Sequence, residues 1–417
     1  VSKLVFPRVD RPEVSISVVT HGAEPWVWRT LEAVLDHTEP VYEVILVDNA
    51  SPRGMARRLQ SDLENVRTVF HEKNRGFGPA SNEAAGLARA PLLAFLNSDA
   101  LVHEGWFTFL RERIESAPDV AAVAPRLLNL DGTLQEAGAL LYGDGYTQFV
   151  GFGDEPDRPA YRFPREVDYA SAACLLARAR AFAEVGGFSA RYAPAYYEDV
   201  DLCLELRRRG YRTLYEPRAL VTHARGASGD PELARNLWLR NHPIFTALWK
   251  DSLTGRPAHP PEEGSPRLAD ASRDAPTTGR ILLATRRFPT SSAGGDAKGA
   301  ALVRWLARAY PWSRRTLLSA SPPPAPEAAE ELLNQGWEIA DADTVARRAL
   351  HYDAVILREL DSPHAFDAVL DTLADGAAMI PDPRVPDDLV SALAAAGVPA
   401  ETLDPASPGT VEAAARR

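Results

Sequence analysis

Asp99, Glu198, Asp199 and His223 are the side chains whose type and setting could carry chemistry. Asp99 lies in Leu92–Leu101, LLAFLNSDAL, where an apolar run gives way to Asn97-Ser98-Asp99. Such a run, ending in small polar residues, marks a buried parallel strand reaching the edge of its sheet. Ligands of open α/β sheets bind just beyond the carboxyl ends of such strands. Asp99 would then stand at the mouth of a cleft; the alternative is that Asn97 and Asp99 only shape a turn. Glu198 and Asp199 belong to a second stretch, Ala195–Pro217, AYYEDVDLCLELRRRGYRTLYEP. Leu202 and Leu206, with Cys203, share a helical face, and Gly210 stops the helix. Glu198, Asp199 and Asp201 crowd its start, where the helix dipole favours anions. Capping explains any one of these acids, but three acids behind two tyrosines exceed what a cap needs. His223 follows a short strand and precedes Ala224-Arg225-Gly226-Ala227-Ser228-Gly229. A lone histidine is more often a satisfied structural group than a ligand.

The elements that must position these residues alternate. Strand patterns at Val14–Thr20, Tyr42–Val47, Val66–Phe70 and in the run that starts at Leu92 are separated by helix patterns at Trp26–His37, Ala56–Leu63 and Gly78–Ala88. Repeated β-α units with short loops imply a parallel sheet covered by helices on both faces. Three strands end in polar clusters: Thr20-His21-Gly22, Asp48-Asn49-Ala50-Ser51 and Asn97-Ser98-Asp99. One site lined by several loops explains that repetition better than turn chemistry does. Between the third strand and its helix, Asn74-Arg75-Gly76-Phe77-Gly78-Pro79-Ala80-Ser81-Asn82 offers glycines and a helix start suited to a phosphate or a sugar hydroxyl. An ordinary helix start with Pro79 in its first turn reads the same way. It is not the GxGxxG dinucleotide fingerprint, because the glycine spacing differs and it follows the third strand.

Composition narrows the classes. The chain has 417 residues, 45% of them hydrophobic, enough for large cores and two domains. A net charge of -11 argues against a nucleic-acid partner. Lysine occurs only at Lys3, Lys73, Lys250 and Lys298, so arginine supplies nearly all the positive charge, which reads as genomic bias. Cys174 and Cys203 are the only cysteines, giving neither a disulfide framework nor metal-binding cysteine spacing. With no leader-like apolar segment and no run long enough to span a membrane, a soluble, cytoplasmic protein is expected.

VVTHG, LVDNAS, NRGFGPASN and LNSD, in this order and rough spacing, resemble the inverting family 2 glycosyltransferases of the GT-A fold. Rhamnosyl- and galactofuranosyl-transferases are the nearest in pattern, and the resemblance covers about residues 14–250. It implies that Thr20 lies near a nucleotide, that Asp48 takes its base or ribose, and that Asn49, Ser51, Asn74, Gly76, Phe77, Asn82 and Asn97 line the donor. The family's metal motif is Asp-x-Asp; here Asn97 replaces the first Asp, leaving Asp99 as the main strand-end ligand. His223 resembles a further metal ligand, and Arg225, in a glycine-rich loop, would lie near the diphosphate. Mg²⁺ or Mn²⁺ bound by oxygen would neutralise a departing diphosphate as a Lewis acid. The Glu-Asp pair resembles the family's catalytic motif, with Asp199 as general base, Glu198 orienting the acceptor or serving as alternative base, and Asp201 as a structural cap. A carboxylate suffices because the alcohol becomes acidic only as the new bond forms.

Asp131–Asp168 resembles the variable acceptor-side region, where Tyr142, Tyr146, Phe149 and Phe152 could stack on sugars or be core. Tyr196, Tyr197 and Trp238 are further acceptor candidates. Leu233–Lys250 is aromatic and basic, and Pro243 is expected to break it into two helices. Trp238, Phe245 and Trp249 with Arg235, Arg240 and Lys250 suit an anionic membrane surface, a second subunit or intramolecular packing, and packing is the preferred reading. Thr254–Gly279 reads as a Pro/Gly-rich linker. Domains are therefore expected at 1–253 and 280–417. The second shows strands at Ile281–Thr285, Thr316–Ser319 and Ala354–Leu357, and helices at Ala300–Ala309, Glu327–Gln335, Ala365–Leu373 and Asp387–Ala396. It loosely resembles the amino-terminal half of a GT-B enzyme or a receiver-like Rossmann domain, with the flexible loop Ser291–Asp296 at its carboxyl edge.

The expected activity is transfer of a sugar from a UDP- or dTDP-linked donor to a hydroxyl of a saccharide or glycolipid, in bacterial surface polysaccharide synthesis. The rival is a catalytically silent sugar-nucleotide-binding or scaffold protein. Asn97 leaves room for it, whereas an intact Glu198-Asp199 pair argues against it, since a binding module needs no base. A nucleotidyltransferase would want a more basic phosphate-gripping loop than His21-Gly22.

Overall fold

The computed structural model describes residues 3–225, 231–256, 259, 279–309, 313–346, 348, 352–358 and 373–381. The chain divides into two compact units, Val1–Pro156 with Glu166–Glu263, and Asp157–Arg165 with Gly264–Arg417.

The first unit is built on a ten-stranded mixed sheet. Val14–Thr20 is flanked in parallel by Tyr42–Asp48 on one side and Leu92–Asn97 on the other, and Arg67–Phe70 extends the sheet beyond Tyr42–Asp48. VSISVVT, YEVILVD and LLAFL are buried almost throughout, as strands covered on both faces must be. On one face Trp26–His37 and Trp106–Glu115 pack Leu31, Val34, Trp106, Phe107 and Leu110 onto the strands. On the other, Phe77–Leu87 brings Ala80 and Ala84 against Ile45 and Val47; small side chains let that helix lie close. Register sets the strand ends level: Thr20 pairs with Asp48, and Val19 with Asn97. The polar termini of three strands therefore meet at one edge.

Beyond Leu92–Asn97 the sheet changes character. Cys174–Arg178 inserts antiparallel between Leu92–Asn97 and Val120–Leu128. The long strand Arg212–His223 runs parallel to Val120–Leu128, shifts register between Glu216 and Leu220, and then pairs antiparallel with Ala100–Val102. That last pairing sets His223 opposite Ala100, next to Asp99 in sequence. Cys174 and Cys203 are both buried and free.

Two expectations need correction here. Pro231–Leu248 is one helix that runs through Pro243, followed by Lys250–Leu253. Pro243 and Leu239 lie on its exposed side, where water can take the carbonyl that proline leaves without a donor. The second helix of the first unit spans Arg53–Asp62, beginning three residues ahead of the expected start.

The second unit has a five-stranded parallel sheet in the order Trp337–Ile339, Arg314–Ser319, Arg280–Thr285, Tyr352–Arg358, Leu373–Pro381. Leu283, Val303, Leu306, Leu317, Leu332 and Trp337 form its core with helices Ala297–Ala309 and Pro326–Asn334. The short strand at Trp337 was not expected from sequence. The expected helix Asp387–Ala396 lies outside the described residues, as does Ala365–Leu373 apart from Leu373, which opens a strand. The expected linker lies almost wholly outside them too. Among the described residues no helix is long and apolar enough to cross a membrane.

Candidate functional site

At the carboxyl edge of the first unit's sheet, an Asp99 carboxylate oxygen lies 3.2 Å from His223 Nε2. The imidazole is held from behind. Gln135 Nε2 donates to the His223 carbonyl at 3.0 Å and to Asn129 Oδ1 at 2.9 Å, which turns Gln135 Oε1 toward His223 Nδ1 at 2.7 Å. Nδ1 therefore carries a hydrogen, which in the neutral ring leaves the Nε2 lone pair beside Asp99. Asn97 Nδ2 approaches the same nitrogen at 3.3 Å. In that state the lone pair and the carboxylate are both well placed to face a positive charge, and a metal cation can take the place that a ring proton would otherwise fill. Cation ligands at about 2.2 Å subtend edges of about 3.1 Å in an octahedron, close to the separation seen. Among the described residues no cluster of three or more His, Cys, Asp or Glu side chains could hold a metal. The pair thus fits a cation that takes its remaining ligands from phosphate and water, as Mg²⁺ and Mn²⁺ do.

The donor-side residues fall into two groups. Thr20 presents a buried hydroxyl without a protein partner among the described residues, and Asp48 is buried at the strand end beside it. Asp48 Oδ1 accepts from the Ser51 amide at 3.0 Å, and Ser51 Oγ accepts from the Gly22 amide at 2.9 Å, so these loops brace one another. Asn49, Asn74 and Asn82 are framework. Asn49 Nδ2 donates to Asn74 Oδ1 and the Gly76 carbonyl, while its Oδ1 accepts from the Arg75 amide and faces His71 Nδ1. Asn74 Oδ1 also accepts from the Gly76 amide. Both side-chain ends of Asn82 bond the Phe188 backbone, and Phe77 sits edge-on to the Phe188 ring. Gly76 has φ +91°, and a Cβ there would come within 2.6 Å of Pro194 Cα. Only glycine fits that position.

Helix Glu198–Arg208 carries the acid pair at its first turn. Asp199 is half-buried; its Oδ1 accepts from the Val200 amide at 2.9 Å and its Oδ2 from the Ala172 amide at 3.4 Å. Burial raises its carboxyl above the ordinary range, opposed by those amides. Glu198 is buried with Oε2 unpartnered, and burial together with the Asp199 charge pushes it up much further. The two amides thus favour the charge on Asp199 over Glu198. Asp201 is not the expected cap. It is buried and accepts from Tyr192 Oη at 3.0 Å and Trp249 Nε1 at 2.8 Å, tying its helix to neighbouring segments.

Sequence reasoning missed a third carboxyl. Glu136 is 1% exposed; its Oε1 accepts from the Ser171 amide at 3.1 Å, next to the Ala172 amide that serves Asp199. Burial first, then the Asp199 charge, pushes Glu136 up to about 8. Gln135 and Glu136, both buried though adjacent on one strand, are the signal: alternation sends one to each face, so neither is a solvent residue.

Arg225 lies over the Phe149 and Phe152 rings, at 5.7 and 5.0 Å, and not free at the strand ends. The glycine-rich residues after it are outside the described ones. Tyr142 is core, whereas Tyr146 and Phe152 are exposed. Trp238 stacks obliquely with Tyr146, His242 and Tyr197, making an aromatic wall beside the acids, and Tyr197 donates to the Gly145 carbonyl at 2.9 Å. Tyr196 is exposed next to it.

The family model for glycosyl transferase family 2 matches residues 15–185. An N-acetylglucosaminyl-diphospho-decaprenol L-rhamnosyltransferase of Mycobacterium tuberculosis is 30% identical over 244 residues, covering 53% of this chain and 79% of that enzyme. An uncharacterized Sinorhizobium fredii protein is 26% identical over 278 residues, or 62% of this chain; the match spans only 30% of that longer relative. Among solved structures, a Pyrobaculum calidifontis mannosyltransferase in complex with GDP-mannose and Mn²⁺ is a more distant likeness. It has a TM-score of 0.42 and 16% identity, over 72% of this chain and 76% of that one. The sheet and the match to the family 2 relatives together define a glycosyltransferase of the GT-A fold. The chain belongs to glycosyltransferase family 2.

Proposed function

We propose that this enzyme is an inverting, metal-dependent transferase that moves a deoxyhexose such as rhamnose from a dTDP- or UDP-linked donor to a hydroxyl of a saccharide or glycolipid. Bacterial surface polysaccharide synthesis is the setting. The observation that carries the reading is the Asp99–His223 pair, whose carboxylate oxygen and ring nitrogen lie 3.2 Å apart at the strand ends. Asp99 and His223 would hold Mg²⁺ or Mn²⁺. When bound, the cation offsets the charge that develops on a departing diphosphate. Thr20, Asp48 and the Asn74–Asn82 segment take the nucleotide. Asp199 accepts the proton of the attacking hydroxyl, and a carboxyl raised by burial is a better base than an ordinary one. Glu198 orients the acceptor, donating a hydrogen bond to it when protonated, while Tyr196, Tyr197 and Trp238 flank it. The acceptor class follows the name of the mycobacterial relative, a lipid-linked diphospho-sugar. Incubation with dTDP-L-rhamnose, Mn²⁺ and such an acceptor tests the reading: rhamnosylated product is expected, and an enzyme that binds neither dTDP nor UDP with any metal would overturn it.

A further inference from the structure

The backbone just ahead of the acid pair is held in an unusual shape. Tyr196 and Tyr197 both have positive φ, +77° and +75°, in the left-handed region that side chains other than glycine's disfavour. Two such residues in succession persist only where surrounding structure over-determines them. What holds them comes from helix Pro231–Leu248. Asn241 is 0% exposed, and its Nδ2 donates to the carbonyls of Tyr192, Ala195 and Tyr196 at 3.0, 2.9 and 2.9 Å. Its Oδ1 accepts from Arg240 Nε at 2.9 Å, so the amide's orientation is fixed by its partners. Arg240 Nη2 reaches the Tyr192 and Ala193 carbonyls at 3.2 and 2.5 Å. Four carbonyl oxygens of one loop thus converge on two adjacent side chains. Without those donors the oxygens would repel one another and stay unsatisfied.

The loop also meets the donor side. The Phe77 amide donates to the Pro194 carbonyl at 2.8 Å, at the place where Gly76 admits Pro194. Tyr197 is the last residue before the helix that opens with Glu198 and Asp199. A change in its backbone angles therefore swings both acids relative to the Asn74–Asn82 segment.

We propose that Asn241, assisted by Arg240, is a positioning residue that sets the Tyr192–Tyr197 backbone and thereby aims Asp199 at the acceptor hydroxyl. Its catalytic consequence rests on Asp199 being the base; its structural consequence does not. The signal was in the sequence. Asn241 interrupts the series Trp238, Phe245, Trp249 at helical spacing, an amide on an otherwise apolar face.

Asn241→Leu and Asn241→Asp test this on the full chain, the first removing the donors without adding charge, the second keeping the shape. Amide hydrogen exchange at residues 195–200 should quicken at least about tenfold, with Val14–Thr20 and Tyr42–Asp48 unchanged. Mn²⁺-dependent dTDP binding should persist, while turnover of dTDP-L-rhamnose falls about 100-fold at a donor KM near that of the unsubstituted enzyme. Unaltered exchange at 195–200 would overturn the proposal. Exchange quickened throughout the first unit, with dTDP binding lost, would also overturn it and leave Asn241 an ordinary folding residue. If the unsubstituted enzyme does not use dTDP-L-rhamnose, the donor assignment fails, and the exchange comparison still decides on the clamp.

Discussion

At the residue scale, three carboxyls share one recess and differ in charge because their surroundings differ. Asp199 receives two backbone amides and Glu198 has an unpartnered oxygen, so the surroundings favour the charge on Asp199. Asp199→Asn should bind dTDP with Mn²⁺ as before and lose about 10²–10⁴ in turnover, read by steady-state kinetics. Glu136 supplies a test that needs no substrate. Its folded pKa of about 8 lies above the ordinary 4.5, so between those values the unfolded chain has released a proton that the folded chain keeps. Its contribution to stability is therefore full below the lower value and is lost as pH rises through the upper one. Urea midpoints across that window should fall less steeply for Glu136→Gln than for the unsubstituted protein, and the gap should stop growing once Glu136 is ionised in the folded state too. Equal slopes would place Glu136 in water.

At the element scale, the site depends on where strands end and on what stands behind them. Gln135 sits on a short strand against Val120–Leu128 and fixes the ring of His223. Gln135→Leu should weaken Mn²⁺ affinity about 10- to 100-fold in the presence of dTDP, as removal of a partner behind a metal ligand does; manganese spin resonance reads this. Gly76→Ala would push a Cβ into Pro194 from a backbone angle alanine resists, and a lower melting temperature together with slower turnover is expected. These elements also show what sequence could reveal. The strands ending at Thr20, Asp48 and Asn97 were legible because their apolar runs are continuous and their polar ends abrupt. The helix through Pro243 was not, since a proline on an exposed face loses a bond that water replaces. Asp201 read as a cap because its two partners, Tyr192 and Trp249, lie 9 and 48 positions away. Gln135 and Glu136 belong to no local motif; only burial, which the chain's pairing decides, makes them informative. Arg225 drew its expected role from the glycine-rich loop it opens and the family resemblance, and the Phe149 and Phe152 rings engage it.

At the scale of the whole molecule, two units each have a sheet and an apolar core of their own. Calorimetric unfolding should show two transitions, only one of which rises with dTDP and Mn²⁺, because a ligand stabilises only the part that binds it. The central claim is that Asp99 and His223 form the metal-dependent seat of a nucleotide diphosphate. Titration calorimetry with dTDP and with UDP, each with and without Mn²⁺, on the unsubstituted enzyme and on Asp99→Ala, tests it most directly. The expected result is binding of one nucleotide that requires Mn²⁺, is lost in Asp99→Ala and is retained in Asp199→Asn. Binding that is indifferent to the metal and to Asp99, or no binding of either nucleotide by the folded protein, would contradict it.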